Sequence, residues 1–172
     1  MRTSETHPIR VDWVTNNIGI TFAPGKKASS AFGSAWDRSL EADLDRLRDF
    51  YKVDKLVSLV EDHELVRFSI PNLVKECTDR GITIHRSPII DGTTPMPGQA
   101  EAIVESVLQD LSKGKRVVFH CRGGLGRAGT LCACTLVALG HSPQDAIDLT
   151  RRHREGAIEN RAQEFFVKKF SL

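Results

Sequence analysis

A three-layer α/β domain, with a central and mostly parallel sheet of about five strands flanked by helices, is the architecture this sequence predicts. Short runs rich in Val, Ile and Leu alternate with stretches of helical period, and whole helices separate the later strands, as parallel pairing requires. At 172 residues the chain has the size of one domain, 1–172, and can bury roughly 70% of its unfolded surface.

Taken in order, residues 9–14 and 18–22 cluster apolar groups around Asn16-Asn17, the pattern of two short strands joined by a turn at a sheet edge. Residues 23–39, rich in Gly, Ser, Ala and Lys, read as a loop anchored by Trp36. Ser39 caps a helix that places Leu40, Leu44, Leu47 and Tyr51 on one face. A strand spans Val53 to Val60. A short helix from Asn72 to Arg80 stops at Gly81, and a strand from Ile82 to Ile90 delivers Asp91 to a loop at its carboxyl end. Ile103, Val104, Val107, Leu108 and Leu111 mark a helix over Pro97–Ser112, and Gly114 ends it before the strand that leads into Cys121. A helix runs from Arg127 to Gly140. Ser142 caps the next, with Pro143 in its first turn and Asp145 in the reciprocal position, and a last helix begins near Asn160. Parallel sheets bind ligands at the carboxyl ends of their strands, so Asp91 and Cys121 are expected on one rim.

A net charge of +2 is too small for a general nucleic-acid binder, and no basic patch interleaved with aromatics appears. Met1–Pro8 is polar, and no run approaches the ~20 apolar residues of a membrane span, so a cytoplasmic protein is expected. Four cysteines without secreted-scaffold spacing suit a reducing compartment. Cys77, Cys132 and Cys134 fall in apolar helices and read as buried. The nearest approach to a zinc motif, His63-Glu64, has Arg67 where the second histidine would stand. Neither metal nor cofactor is expected, and His63 reads as a loop residue.

The chemistry concentrates in Val-Val-Phe-His-Cys-Arg-Gly-Gly-Leu-Gly-Arg-Ala-Gly-Thr, residues 117–130, where a strand ends at Cys121 and a helix starts six positions later. Such a loop turns backbone N–H groups and the positive end of the helix toward one point, which suits a phosphate dianion. In that field Cys121 is expected to titrate well below the ~8.5 of a free thiol. Arg127 offers a planar fork for two phosphate oxygens, and Gly123, Gly124 and Gly126 let the backbone close around the anion. Gly124, Gly126 and Gly129 also have the spacing of a dinucleotide-binding turn. That fold needs another strand after the helix, whereas Ser142-Pro143 starts a second helix.

These residues resemble the cysteine-dependent protein phosphatases, and within them the kinase-associated branch of the dual-specificity enzymes. The likeness runs through Ile18-Gly19-Ile20, Ala23-Pro24-Gly25-Lys26, Pro71-Asn72-Leu73, Ser87 to Pro95, His120 to Arg127, Gly156-Ala157-Ile158 and Gln163. It implies the family's three-layer fold and a two-step reaction. Cys121 attacks phosphorus to form a phosphocysteine, Asp91 protonates the leaving oxygen, and water then releases phosphate with Asp91 as base. Arg122, Gly123, Gly124, Leu125, Gly126 and Arg127 would bind the phosphate, and His120 would support the loop. The implied substrates are phosphoproteins, phosphotyrosine first with phosphothreonine and phosphoserine as further candidates, and a kinase is a candidate partner. Asp91-Gly92 taken alone is equally a turn pair.

Two positions depart from the family pattern. Ala128 stands where many relatives carry a hydroxyl, so breakdown of the phosphoenzyme is expected to be slow. Glu159 stands where a water-positioning glutamine is frequent, while Gln163 is retained and reads equally as a polar residue on an exposed helix face. Arg122, Arg151, Arg152 and Arg154 would steer an anionic substrate or, for the last three, simply cap a helix end. Lys26 and Lys27 face either the pocket or solvent. The competing functions are a non-catalytic phosphoprotein-binding module, a phosphatase of phosphoinositides or small phosphate esters, and a sulfurtransferase.

Overall fold

The computed structural model describes residues 1–29 and 35–172. In chain order it comprises β1 (Asp12–Trp13), β2 (Ile18–Thr21), β3 (Lys27–Ala28), β4 (Trp36–Asp37), α1 (Leu40–Asp49), β5 (Lys55–Ser58) and α2 (Asp62–Arg67). It continues with α3 (Leu73–Asp79), β6 (Thr83–Arg86), α4 (Gln99–Leu111), β7 (Val117–His120), α5 (Gly126–Ala138), α6 (Pro143–His153) and α7 (Arg161–Lys169). Five strands form the main sheet in the order β1-β2-β7-β5-β6, antiparallel only between β1 and β2.

Helices cover both faces of the sheet, which is why β5 and β7 are buried along their whole length. Successive side chains alternate between the two cores. Leu56 and Val118 join Leu44, Leu47 and Leu73 of α1 and α3, while Val57, Val117 and Phe119 join the residues of α4, α5, α6 and α7. In register, His120 lies between Thr21 and Ser58, so the chain leaves β7 in the middle of the sheet's carboxyl edge. Among the described residues no helix is long and apolar enough to cross a membrane.

Ser39 caps α1 through a hydrogen bond from the Ala42 amide (3.1 Å), and Ser142 and Asn160 cap α6 and α7. The strands are shorter than their apolar runs: Val53, Val60 and Ile89 are buried but lie outside the strands' regular pairing. The expected loop over 23–39 instead holds the two-stranded sheet of β3 and β4, with Lys27 opposite Asp37; residues 30–34 lie outside the described residues. His63, expected in a loop, belongs to α2. That helix of 6 residues is too short to show a period, and its sequence mark is the spacing Glu61-x-x-Glu64, whose carboxylate accepts the Glu61 amide at 2.8 Å.

One buried ion pair fixes the segment that reaches the site. Arg38 donates twice to Asp43 (both 2.7 Å), and Asp43 also accepts the Gly25 amide at 2.8 Å. A Cβ on Gly25 would stand 2.5 Å from that of Leu40, so only glycine lets the segment lie against α1.

Candidate active site

The loop from Cys121 to Leu125 hangs from the end of β7 and re-enters the fold at the first turn of α5. Its carbonyl groups are held from outside. The Arg122 oxygen accepts from the Ala23 amide (3.3 Å) and Lys26 Nζ (3.2 Å), and the Leu125 oxygen from the amides of Gly129 (2.9 Å) and Ile158 (3.3 Å). Arg154 donates to Gly123 (2.7 Å) and Gly124 (3.0 Å) and is anchored on Asp12 at 2.6 Å. Peptides tied by their oxygens on the outer side present their N–H groups inward, the arrangement that binds anions. Arg154 is thus a brace behind the loop, neither a solvated helix end nor a steering charge. Arg151 likewise bonds the Ala157 and Ile158 carbonyls.

Gly124 has a φ of 68°, and a Cβ there would stand 2.3 Å from the Thr21 carbonyl oxygen, so the loop requires glycine at this position. A Cβ on Gly126 would meet Glu159 Oε2 at 2.2 Å and Gln163 Nε2 at 2.8 Å. The segment leading into α7 therefore packs directly on the loop.

Cys121 is 3% exposed and lies at the floor of a cavity of about 330 Å³ whose walls include Lys26, Asp91, Arg122, Leu125 and Glu159. Arg127 is buried beside it. Its Nη1 and Nη2 grip Glu64 (2.7 and 2.9 Å), Nη1 also donates to the Ile89 carbonyl (2.9 Å), and Nη2 lies 3.0 Å from Asp91 Oδ1. Nε has no partner among the described residues, which leaves one buried donor on a guanidinium otherwise held rigid. Burial pushes the Glu64 carboxyl up, but hydrogen bonds from Arg127 and the Glu61 amide outweigh it and hold the group below the ordinary carboxylate range.

Asp91 is half exposed on the rim, as the topology required, with Arg122 Nη1 3.9 Å away. Its loop is clipped to the start of α7, where Asn160 donates to the Gly92 carbonyl (3.0 Å) and Gln163 to that of Thr93 (3.3 Å). Gln163 is fully buried, which overturns the exposed-face reading: its Oε1 also accepts the Glu159 amide at 2.9 Å. The Cys121 loop and the Asp91 loop thus meet the same side chain.

His120 is fully buried, with Nδ1 3.2 Å from the Cys121 carbonyl oxygen. That oxygen only accepts, so Nδ1 carries the proton. Burial pushes its pKa down to about 4. Between the unfolded value of 6.5 and the folded value of about 4 the unfolded chain binds more protons, so stability falls as pH drops through this window. The loss amounts to about 3 kcal/mol when complete. Urea unfolding at pH 7.5 and 4.5 should show a steeper decline for the parent than for His120→Gln; parallel declines would contradict it. Burial likewise pushes the Cys77 and Cys132 thiols up to about 12 and Cys134 higher still, so all three stay protonated.

Three residues of this site were not predicted from sequence. Glu64 entered only as the neighbour of His63 in the incomplete zinc pattern. Arg154 read as either a steering charge or a helix-end charge, and Asn160 only as the start of the last helix.

A cysteine under an amide-lined loop, an arginine with a spare buried donor and a carboxylate on the rim define a cysteine-dependent phosphatase. Residues 36–167 match the family described as Swiss Army Knife protein, DSP-PTPase phosphatase domain. The chain is 32% identical to cyclin-dependent kinase inhibitor 3 of Mus musculus over 176 residues, covering 96% of this chain and 80% of that protein. The structure of a kinase-associated phosphatase with serine in place of its catalytic-site cysteine superposes with a TM-score of 0.84 at 28% identity, over 93% of this chain and 92% of that one. The active form of Tk-PTP gives 0.75 at 30% identity, over 92% and 93%. The chain belongs to the dual-specificity protein phosphatase family.

Proposed function

We propose that this phosphatase hydrolyses phosphotyrosine, and also phosphothreonine or phosphoserine, in protein substrates through a phosphocysteine. The observation that carries the reading is the Nε of Arg127 beside Cys121, unpaired among the described residues, a buried donor that an oxyanion of the substrate would satisfy. In the first step Cys121 Sγ forms a bond to phosphorus as the P–O bond to the leaving group breaks, and Asp91 gives that oxygen its proton. In the second, water attacks phosphorus, Asp91 takes a proton, and the S–P bond breaks to return the thiolate. Loop amides and Arg127 hold the equatorial oxygens throughout. Arg122 and the residues 123–126 form the cradle, and His120 and Gln163 hold it in position.

A non-catalytic binding module would need no acid, and Asp91 on the wall of the cavity that holds Cys121 favours catalysis. Relatives named as a kinase inhibitor and as a kinase-associated phosphatase support a phosphorylated kinase as partner, and four free thiols suit the cytoplasm.

Asp91→Asn is expected to remove the fall in rate at high pH that loss of a general acid's proton produces, and to lower kcat about 10²-fold on a phosphotyrosine peptide. The loss should be smaller on p-nitrophenyl phosphate, whose leaving group needs less protonation. An unchanged pH profile would remove Asp91 from the mechanism. Ala128 offers the departing sulfur no hydroxyl, and the nearby Thr130 hydroxyl is committed to the Gly126 carbonyl at 2.8 Å. Rapid mixing should therefore show a burst of leaving group before a slower steady rate, and Ala128→Ser should raise that steady rate. A trace with no burst would contradict slow breakdown.

A further inference from the structure

Lys26 stands out among the buried cations. It is 8% exposed, yet among the described residues no carboxylate lies within salt-bridge distance of its Nζ and the one hydrogen bond it makes goes to the Arg122 carbonyl. The buried Lys55, by contrast, is satisfied by Asp110 (2.7 Å) and Ser106 (2.6 Å). Burying an ammonium without a counter-ion is costly. Here the rings of Trp36 and Phe22, 4.4 and 5.0 Å from Nζ, supply part of the compensation. The Arg38–Asp43–Gly25 anchor holds the segment that carries it, and Lys26 lines the same cavity as Cys121.

Arg122 lines this cavity and also a neighbouring cleft of about 450 Å³ bounded by Trp36, Arg67, Phe68 and the Lys27–Asp37 ion pair (3.2 Å), whose acidic charge is already matched by its lysine. Arg67 is exposed and has no acidic partner among the described residues. The cations Lys26, Arg122 and Arg67 therefore run out of the phosphate cavity into a cleft with an aromatic wall. A phosphoinositide headgroup would keep its charges within the cavity itself, whereas an extended peptide would follow the cations outward.

We propose that Lys26 and Arg122 form a second anion subsite, which takes a carboxylate side chain next to the phosphoresidue of a peptide substrate. This rests on the phosphatase reading above. It makes the enzyme select acidic phosphopeptides, with Arg67 extending the preference by a further position.

Burial first, and Arg122 next, push the Lys26 pKa down to about 8. Cys121 counteracts this, Arg38 and Arg154 add to it, and Asp91 and Glu159 share the cavity. Lys26 is charged below this value and neutral above it, so the preference for acidic peptides should fade as pH rises past about 8.

The test uses the full chain with Cys121→Ser, so that binding is read without turnover. Three probes are compared: a phosphotyrosine peptide flanked by Asp and Glu, the same peptide with Asn and Gln, and phosphatidylcholine vesicles containing a phosphoinositide. The acidic peptide should bind about tenfold more tightly than the neutral one, with the ratio falling as salt is added. Adding Lys26→Met should bring the two peptides within about twofold, and Lys26→Arg should keep most of the preference. If Lys26→Met fails to fold, Arg122→Gln is read in the same way. Equal binding of both peptides, an undiminished preference in the Met variant, or tighter binding to the vesicles would each overturn the subsite. Turnover by the Cys121 protein is measured separately: no phosphate release from any probe would refute the phosphatase reading and leave the binding result intact.

Discussion

Cys121→Ser is expected to abolish phosphate release, a fall on the order of 10⁵-fold or more, while inorganic phosphate still binds. A hydroxyl is not ionised near neutral pH and cannot replace the thiolate as nucleophile. The groups that hold the anion do not involve the sulfur. The loop carbonyls are tied by Arg154, Lys26 and backbone amides, and Arg127 is fixed by Glu64, so the cradle keeps its shape in the variant. Steady-state assays with p-nitrophenyl phosphate, together with calorimetric titration of phosphate, would check both halves. Residual turnover within tenfold of the parent would mean that another group attacks phosphorus. Loss of phosphate affinity would mean that the sulfur shapes the loop.

Glu64→Ala should be the most damaging change outside the loop. Arg127 has a fully buried side chain, and Glu64 supplies the two hydrogen bonds that balance its charge. Removing that carboxylate leaves a guanidinium buried without a full counter-charge, which costs about 3–5 kcal/mol of stability. The remaining acid in reach, Asp91, already 3.0 Å from Arg127, would become its sole carboxylate partner among the described residues and be held in that pair as an anion instead of protonating the leaving group. The rate kcat/KM is then expected to fall about 10²–10³-fold. Glu64→Gln keeps the shape and one acceptor and should lie between the two. Denaturant unfolding and kinetics on the same samples would test this. Unaltered stability in the alanine variant would show that the Ile89 and Leu59 carbonyls suffice to hold the arginine.

The Cys121 loop was legible because its elements are local. A strand, the glycines Gly123, Gly124 and Gly126 and a helix start lie within residues 117–130, and local geometry alone turns the loop inward. Asp91 was legible one step further out, since a parallel sheet collects its strand ends on one rim. Glu64 was not, because the partner of Arg127 lies 63 residues away on a helix of one and a half turns. Arg154 was misread for a related reason. A cation after a helix end looks the same in sequence whether it meets water or the carbonyls of Gly123 and Gly124.

The sequence by itself determined the layered fold, the position of the thiol and the order of strand, loop and helix around it, since apolar periodicity and glycine placement act over short separations. The tertiary structure alone decided which charges face one another. It pairs Glu64 with Arg127, sets Gln163 across both loops and leaves Lys26 buried without a carboxylate partner among the described residues. Charge pairing depends on distances between segments far apart in the chain, and folding sets those distances only when the two cores pack against the sheet.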